Sequence, residues 1–229
     1  MRVYRGRKET VAADRAVTDR FVERVATESE PAVRVWQPHR QVAFGRRDAN
    51  AAGYDRAREL AGKWGFPTVE REVGGRAVAY TGRTVAFARA VPLDDPRTGL
   101  GERYDAVLGA LERALADLGV ETSEGEPPDS FCPGSHSLRT AVDGTGRKLV
   151  GLAQRVRTGA AVVAGILVVA DHAEIADVLA PVYRALSVSF DPETVGSVAL
   201  AGGETDPERV VECVERVLVG DAPVTVVSV

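Results

Sequence analysis

Apolar residues recur about every four positions between residues 10 and 26, at Ala13, Val17, Phe21 and Val25, and this spacing predicts an amphipathic helix. Two short apolar runs follow, AVRVW (32–36) and QVAFG (41–45), and read as strands on either side of a turn at Pro38. Ala57, Leu60, Ala61 and Trp64 mark one face of a second helix, which Gly65 and then Pro67 close. TVERE (68–72) reads as a strand, and AVAY (77–80) with TVAFARAV (84–91) as a hairpin. The clearest helix spans 101–118, where Tyr104, Val107, Leu108, Leu111, Leu115 and Leu118 form a continuous stripe that ends at Gly119. A turn-rich loop, SEGEPPDSFCPGSHS (123–137), precedes three more strands: LRTAV (138–142), KLVGLAQRV (148–156) and AAVVAGILVV (160–169). Asp171 and Glu174 have capping-box spacing for a further helix. Asp206, Pro207 and Glu208 supply a cap, a first-turn proline and an acid for the last one. APVTVVSV (222–229) reads as a final strand or a frayed end. The alternation predicts an α+β fold, a mixed sheet with flanking helices.

Composition narrows the setting. A chain of 229 residues makes one large domain. A net charge of −4 gives no general case for a nucleic-acid partner. Two cysteines without a CxxC pair argue against a disulfide framework and against zinc, and fit a reducing compartment. The start, MRVYRGRKET, has no apolar segment behind its charges, and GAAVVAGILVVA (159–170) is too short to cross a bilayer. The expected location is the cytoplasm, with no membrane partner. No Walker loop, Rossmann fingerprint or metal-ligand spacing is present in the sequence, so no metal site is expected.

Two segments carry candidate chemistry. In REVGGRAVAYTG (71–82), adjacent glycines allow a close backbone approach, and Arg71 and Arg76 can meet phosphate or carboxylate oxygens. On local chemistry alone a hairpin turn with solvated arginines explains this segment as simply. In GRKLVGLAQR (146–155), Lys148 opens an apolar strand that Gly151 interrupts. Such a lysine can project into a cleft as a compact cation that polarises a carbonyl or neutralises a phosphate, or it can stand solvated at a strand edge. Cys213 lies among Val210, Val214, Val217 and Leu218 and reads as a packed thiol. Cys132 sits in the polar loop before the lysine strand, where His136 and Lys148 would favour its thiolate if the loop folds inward. His39 and His172 read as ordinary surface groups.

Together, RVWQPHRQVAFGRRDAN (34–50), TVEREVGGRAVAYTG (68–82) and GRKLVGLAQRV (146–156) follow the order and spacing of lipoate–protein ligases and their octanoyltransferase relatives. SVSFDPETVGSV (187–198) and the early helix also resemble that family, and the resemblance covers roughly residues 3 to 200. It implies the catalytic fold of biotin protein ligases, related to class II aminoacyl-tRNA synthetases. The catalytic domain would span 1–200, with 201–229 as a C-terminal helix and tail packed on it. By the same resemblance Lys148 would be the catalytic lysine, contacting the acyl carbonyl and the phosphate. Arg71, Gly74, Gly75, Arg76, Ala77, Tyr80, Gly151 and Ala153 would bind substrate or adenylate, and Cys132 would be a candidate nucleophile. The chain departs from the family at three places: Tyr80 replaces a histidine, Leu152 a serine, and Ala164-Gly165-Ile166 a His-Gly-Ser sequence. These departures imply either altered substrate contacts or a paralogue without catalysis.

The activity implied first is attachment of lipoate, octanoate or a related acid to a lysine of a lipoyl carrier domain through an acyl-adenylate. ATP and magnesium would be cosubstrates. The carrier would belong to a 2-oxoacid dehydrogenase or to the glycine-cleavage system, and a small accessory subunit would support adenylation. The second is an octanoyl or lipoyl transferase that holds the acyl group on Cys132 and needs no ATP. A biotin ligase, or a non-catalytic binder of lipoyl domains or nucleotide, completes the set.

Overall fold

The computed structural model describes residues 1–71 and 75–229. In chain order its elements are β1 (Arg2–Arg5), α1 (Val11–Glu28), β2 (Ala32–Trp36), β3 (Gln41–Phe44), the single-turn α2 (Arg46–Ala49), α3 (Tyr54–Lys63), β4 (Thr68–Glu70), β5 (Val78–Tyr80) and β6 (Thr84–Pro92). There follow α4 (Leu100–Asp117), β7 (Ser123–Glu124), β8 (Ser137–Val142), β9 (Thr145–Arg157), β10 (Ala160–Val168), α5 (His172–Ala185), a 3-10 turn (Pro192–Thr194), α6 (Pro207–Val219) and β11 (Thr225–Ser228).

An eight-stranded mixed sheet runs β11-β1-β2-β6-β10-β9-β8-β7, and a three-stranded sheet runs β4-β3-β5. The C-terminal β11 is a paired strand, parallel to β1 with Val3 opposite Val226. The mixed sheet with flanking helices is therefore the α+β architecture that the sequence predicts.

Side chains alternate across β10 and divide the core. Val163 and Leu167 point to one face of the large sheet, where the stripe of α4 (Val107, Leu111, Leu115) and Val210 and Val214 of α6 cover them. On the other face Ala160 and Val162 meet Val17, Phe21 and Val25 of α1. Further along that face Ile166 and Val168 meet the small sheet, α3 and α5. Ala164 and Gly165 are half-exposed in an otherwise buried strand. By its position between Val162 and Ile166, Ala164 marks the gap where the two clusters on that face part.

Two local expectations are corrected. β5 and β6 do not form a hairpin: β5 pairs with β3 in the small sheet, while β6 pairs with β2 and β10. Both edges of β6 are thus occupied. The three-residue connection is a local turn in which Thr81 Oγ1 accepts from the Arg83 N–H at 3.0 Å, and it carries the chain from one sheet to the other. Nor do Asp171 and Glu174 form a capping box. Asp171 precedes α5 in the left-handed region (φ 61°) and makes no side-chain cap, because capping needs an extended backbone there. Its carboxylate faces Arg83 at 3.5 Å, and Glu174 pairs with Arg40 at 2.6 Å.

Candidate active site

The loop between β7 and β8 folds inward and places Cys132 against the segment that leads into β5. Cys132 has φ 43°, a left-handed conformation that costs a non-glycine residue roughly 1–3 kcal/mol and must be held by its surroundings. Its Sγ accepts from the Arg76 N–H at 3.4 Å and lies 3.7 Å from Arg71 Nη2. Gly75, at φ 93°, explains how the sulfur comes so close: a Cβ there would stand 2.9 Å from Cys132 Sγ. The close approach expected of the glycine pair is thus an approach to the cysteine. Gly74 lies outside the described residues.

Lys148 is neither a solvated edge residue nor an open cation in a cleft. Its side chain is 1% exposed and its Nζ donates to Glu126 Oε1 and Oε2 at 2.8 and 3.0 Å, to Phe131 O at 3.0 Å and to Cys132 O at 3.0 Å. An ammonium has three protons, and these four acceptors occupy them all. Ser130 and Ser137 also donate to the Glu126 carboxylate. The side chain reaches this position through a β-bulge. The β8–β9 register shifts between Leu138, opposite Val150, and Arg139, opposite Lys148. Leu149 and Val150 consequently both join the α4 side of the core, while Lys148 turns beneath the Phe131 ring, 5.0 Å from its centroid. Gly151 gives it room, since a Cβ there would stand 3.1 Å from Lys148 Cε.

The two arginines are directed differently from one another. Arg76 Nη1 pairs with Asp48 at 3.1 Å, and Asp48, fully buried in α2, also accepts from the Gly45 N–H. The backbone of Arg76, not its guanidinium, therefore serves the sulfur. Arg71 Nη2 donates to Arg76 O at 2.5 Å, and its buried Nε has no partner among the described residues. Burial opposes the Arg71 charge, but Tyr80, Cys132 and Tyr183 hold its pKa above the ordinary guanidinium value. Tyr80 is half-buried. That burial raises its pKa above the ordinary phenol value, Arg71 opposing and Cys132 adding to the rise.

The remaining predicted residues divide by sheet face. Gly151 pairs with Ile166 and Ala153 with Ala164, so both lie on the face of β9 that carries the site. Ala153 is exposed there and Ala77, at the entry to β5, is buried. Leu152 pairs with Gly165 and packs into the α4 side of the core, so this departure from the family sequence points away from the site. The departure at Ala164 faces the site. His136 is stacked on Tyr104 with ring centroids 3.6 Å apart, and the Cys132 sulfur is served by Arg71 and Arg76 instead. Cys213 is packed in α6 with its Sγ 3.6 Å from Ala114 O. Among the described residues, no group of three His, Cys, Asp or Glu side chains is placed to hold a metal, and no helix is long and apolar enough to cross a membrane.

Three contributors escape a reading of the sequence. Glu126 and Asp48 read as loop acids, in SEGEPPDS and GRRDAN. Tyr183 reads as a core aromatic in the apolar stripe of α5. Its hydroxyl nonetheless accepts from the Cys132 N–H at 2.6 Å and donates to Ala77 O at 2.9 Å.

Residues 11–218 match the model of the lipoyl protein ligase A/B catalytic domain. The chain is 32% identical over 148 residues to an octanoyl-GcvH:protein N-octanoyltransferase of Exiguobacterium sibiricum, an alignment over 64% of this chain and 52% of that protein. It is 30% identical over 138 residues to a protein of the same name from Geobacillus kaustophilus, over 60% of this chain and 47% of that one. A lipoyl-GcvH:protein N-lipoyltransferase of Listeria monocytogenes is 25% identical over 54% of this chain and 43% of its own. The chain thus spans about half the length of the curated relatives it matches. Among solved structures, lipoate-protein ligase A bound with ATP superposes with a TM-score of 0.76 at 17% identity, over 100% of this chain and 88% of that one, a likeness of fold.

Proposed function

The chain belongs to the lipoyl protein ligase A/B catalytic domain family, and from that premise we propose that it is an acyltransferase that carries an octanoyl or lipoyl group on Cys132. The observation that carries this reading is the placement of the Cys132 sulfur, inside the site and against the Arg76 N–H at 3.4 Å. In the first step Sγ attacks the acyl amide on a lysine of a donor carrier. The C–S bond forms, the C–N bond breaks, and the lysine leaves as the amine with the thiol proton. In the second step the amine of an acceptor lysine attacks the thioester, forming C–N, breaking C–S and returning a proton to the thiolate. Acyl and proton balance over the cycle, and no nucleotide is consumed. The Arg76 N–H and the Arg71 guanidinium are the donors beside the sulfur for charge that develops on the acyl oxygen. Lys148 holds the carbonyls of the nucleophile loop, and Glu126 balances its charge.

The names of the similar proteins support an octanoyl- or lipoyl-GcvH donor and a protein acceptor. They favour this second of the expected activities over ATP-dependent ligation. So does the saturation of Lys148, whose ammonium protons are all engaged within the protein. A transferase also has no adenylation step for an accessory subunit to support. The test is incubation of the chain with octanoylated GcvH and an apo lipoyl domain without ATP. The expected result is transfer, with an octanoyl adduct mapped to Cys132 by mass spectrometry and no transfer by Cys132→Ser. Transfer by the serine variant, or ATP–pyrophosphate exchange driven by octanoate, overturns the reading.

A further inference from the structure

The Cys132 backbone has an unusual set of partners: its carbonyl accepts from a lysine on β9, and its N–H donates to a tyrosine on α5. That tyrosine, Tyr183, is fully buried, with its ring 4.9 Å from Phe190. A neutral phenol has one proton to give and lone pairs to receive. Tyr183 uses both, receiving the Cys132 N–H at 2.6 Å and giving to Ala77 O at 2.9 Å. Burial and then Cys132 raise its pKa well above the ordinary phenol value, which keeps the proton that the second bond requires.

Ala77 follows Arg76, the residue whose N–H meets the sulfur. One hydroxyl therefore ties the nucleophile loop to the segment leading into β5 that supplies its donor. Neither tie is a sheet ladder: residue 132 belongs to no strand, and β5 begins at Val78. Without the hydroxyl, the left-handed backbone of Cys132 loses its amide partner and is free to relax.

We infer that Tyr183 is a positioning residue for the Cys132 nucleophile, fixing its sulfur between the Arg76 N–H and Arg71 by bridging Cys132 N–H to Ala77 O. The role in turnover rests on the transferase reading above; the effect on the sulfur does not. Tyr183→Phe keeps the buried ring and removes both bonds. In the octanoyl transfer assay kcat should fall about tenfold with KM nearly unchanged, the pattern of a misplaced reacting group. Independently of turnover, Cys132 in the intact protein should react with anionic iodoacetate relatively faster than with neutral iodoacetamide because Arg71 lies beside it. Tyr183→Phe should lower that rate ratio at Cys132, read by mass spectrometry, about threefold. A merely structural tyrosine would not move this ratio, and an unchanged ratio in the folded variant overturns the inference whatever happens to turnover. Hydrogen exchange of the wild-type chain supplies a check that needs no variant. The Cys132 amide should be protected to the level of neighbouring core amides, and rapid exchange at Cys132 overturns the inference. If the wild type transfers no octanoyl group, the transferase reading fails, while the ratio and the exchange still decide the role of Tyr183.

Discussion

Lys148 Nζ stands 2.8 Å from Glu126 Oε1, and the lysine side chain is sealed from solvent while the glutamate is 21% exposed. The pair joins a strand fixed in the sheet to the loop that carries Cys132, the proposed nucleophile. It also anchors the loop twice more, through the carbonyls of Phe131 and Cys132. A lysine so placed is a structural cation that fixes the Cys132 loop.

Lys148→Ala should therefore cost stability as well as activity. The substitution leaves the Glu126 carboxylate and two carbonyls without their donor. Breaking a buried pair in this way typically costs about 3–5 kcal/mol, and the part-exposed Glu126 puts this case at about 3 kcal/mol. Octanoyl transfer should fall more than about a hundredfold, because a loop displaced by about 1 Å loses that much. Urea unfolding beside the transfer assay checks both. A variant with unchanged midpoint would mean that the ion pair contributes nothing.

Gly75→Ala should separate the two quantities in the other direction. The new Cβ would stand 2.9 Å from Cys132 Sγ and 3.3 Å from Arg71 Nη2, on a backbone at φ 93°. The strain amounts to about 1–2 kcal/mol, a modest loss for a chain of this size. Displacement of the sulfur should cost transfer about tenfold or more. Near-normal labelling of Cys132 by octanoylated GcvH in the folded variant would refute the contact.

The sequence made the framework legible because each element carries its own signal. The α4 stripe from Tyr104 to Leu118 and the uninterrupted run of β10 can be read without knowing their partners. The segment that holds Arg71 and Gly75 lies some sixty positions from Cys132, and the fold brings it against the cysteine that Lys148 holds. What could not be read was direction. A bulge decides that Lys148 turns beneath Phe131 and that Leu152 faces the opposite core. Strand pairing, set by tertiary packing, decides that β5 leaves β6 for β3. Glu126, Asp48 and Tyr183 carry no local pattern, since a carboxylate in a loop and a tyrosine in an apolar stripe look alike whether or not they hold the site.

Alkaline titration should show the buried phenols directly. Burial, followed by Glu70, pushes Tyr54 up to about 12, and burial also raises Tyr80 and Tyr183. Folded values above the unfolded value mean that the folded state keeps protons the unfolded chain would lose. Their contribution to stability is complete below about pH 10 and is lost as pH rises through the folded values. Unfolding in urea should become easier above about pH 10, in step with a late rise of phenolate absorbance. Tyr183→Phe should flatten this alkaline slope. Tyrosines that all titrate at the ordinary value in the folded chain would contradict the enclosure.

Tyr80 and Arg71 should differ sharply as sites of substitution, although the charge of Cys132 bears on both. Tyr80 stands where the family resemblance places a histidine, so an acid–base role is the natural first thought. Burial raises its pKa above the ordinary phenol value, so it is already protonated at working pH and cannot take a proton from Cys132. Removing its hydroxyl takes away no charge. Tyr80→Phe should therefore leave kcat within about threefold and preserve the shape of the pH–rate profile between about pH 6 and about pH 9. Arg71 is different in kind. It stays charged despite burial, its Nη2 lies 3.7 Å from the sulfur, and its Nε is a buried donor without a partner among the described residues. Arg71→Met keeps the length of the stem but removes every donor, and should lower octanoyl transfer by about 100- to 1000-fold, as loss of a preorganised donor does. Single-turnover formation of the Cys132 thioester, followed by mass spectrometry over this pH range, tests both at once. A profile that shifts in Tyr80→Phe, or a thioester that forms at the normal rate in Arg71→Met, would exchange the roles assigned to the two side chains.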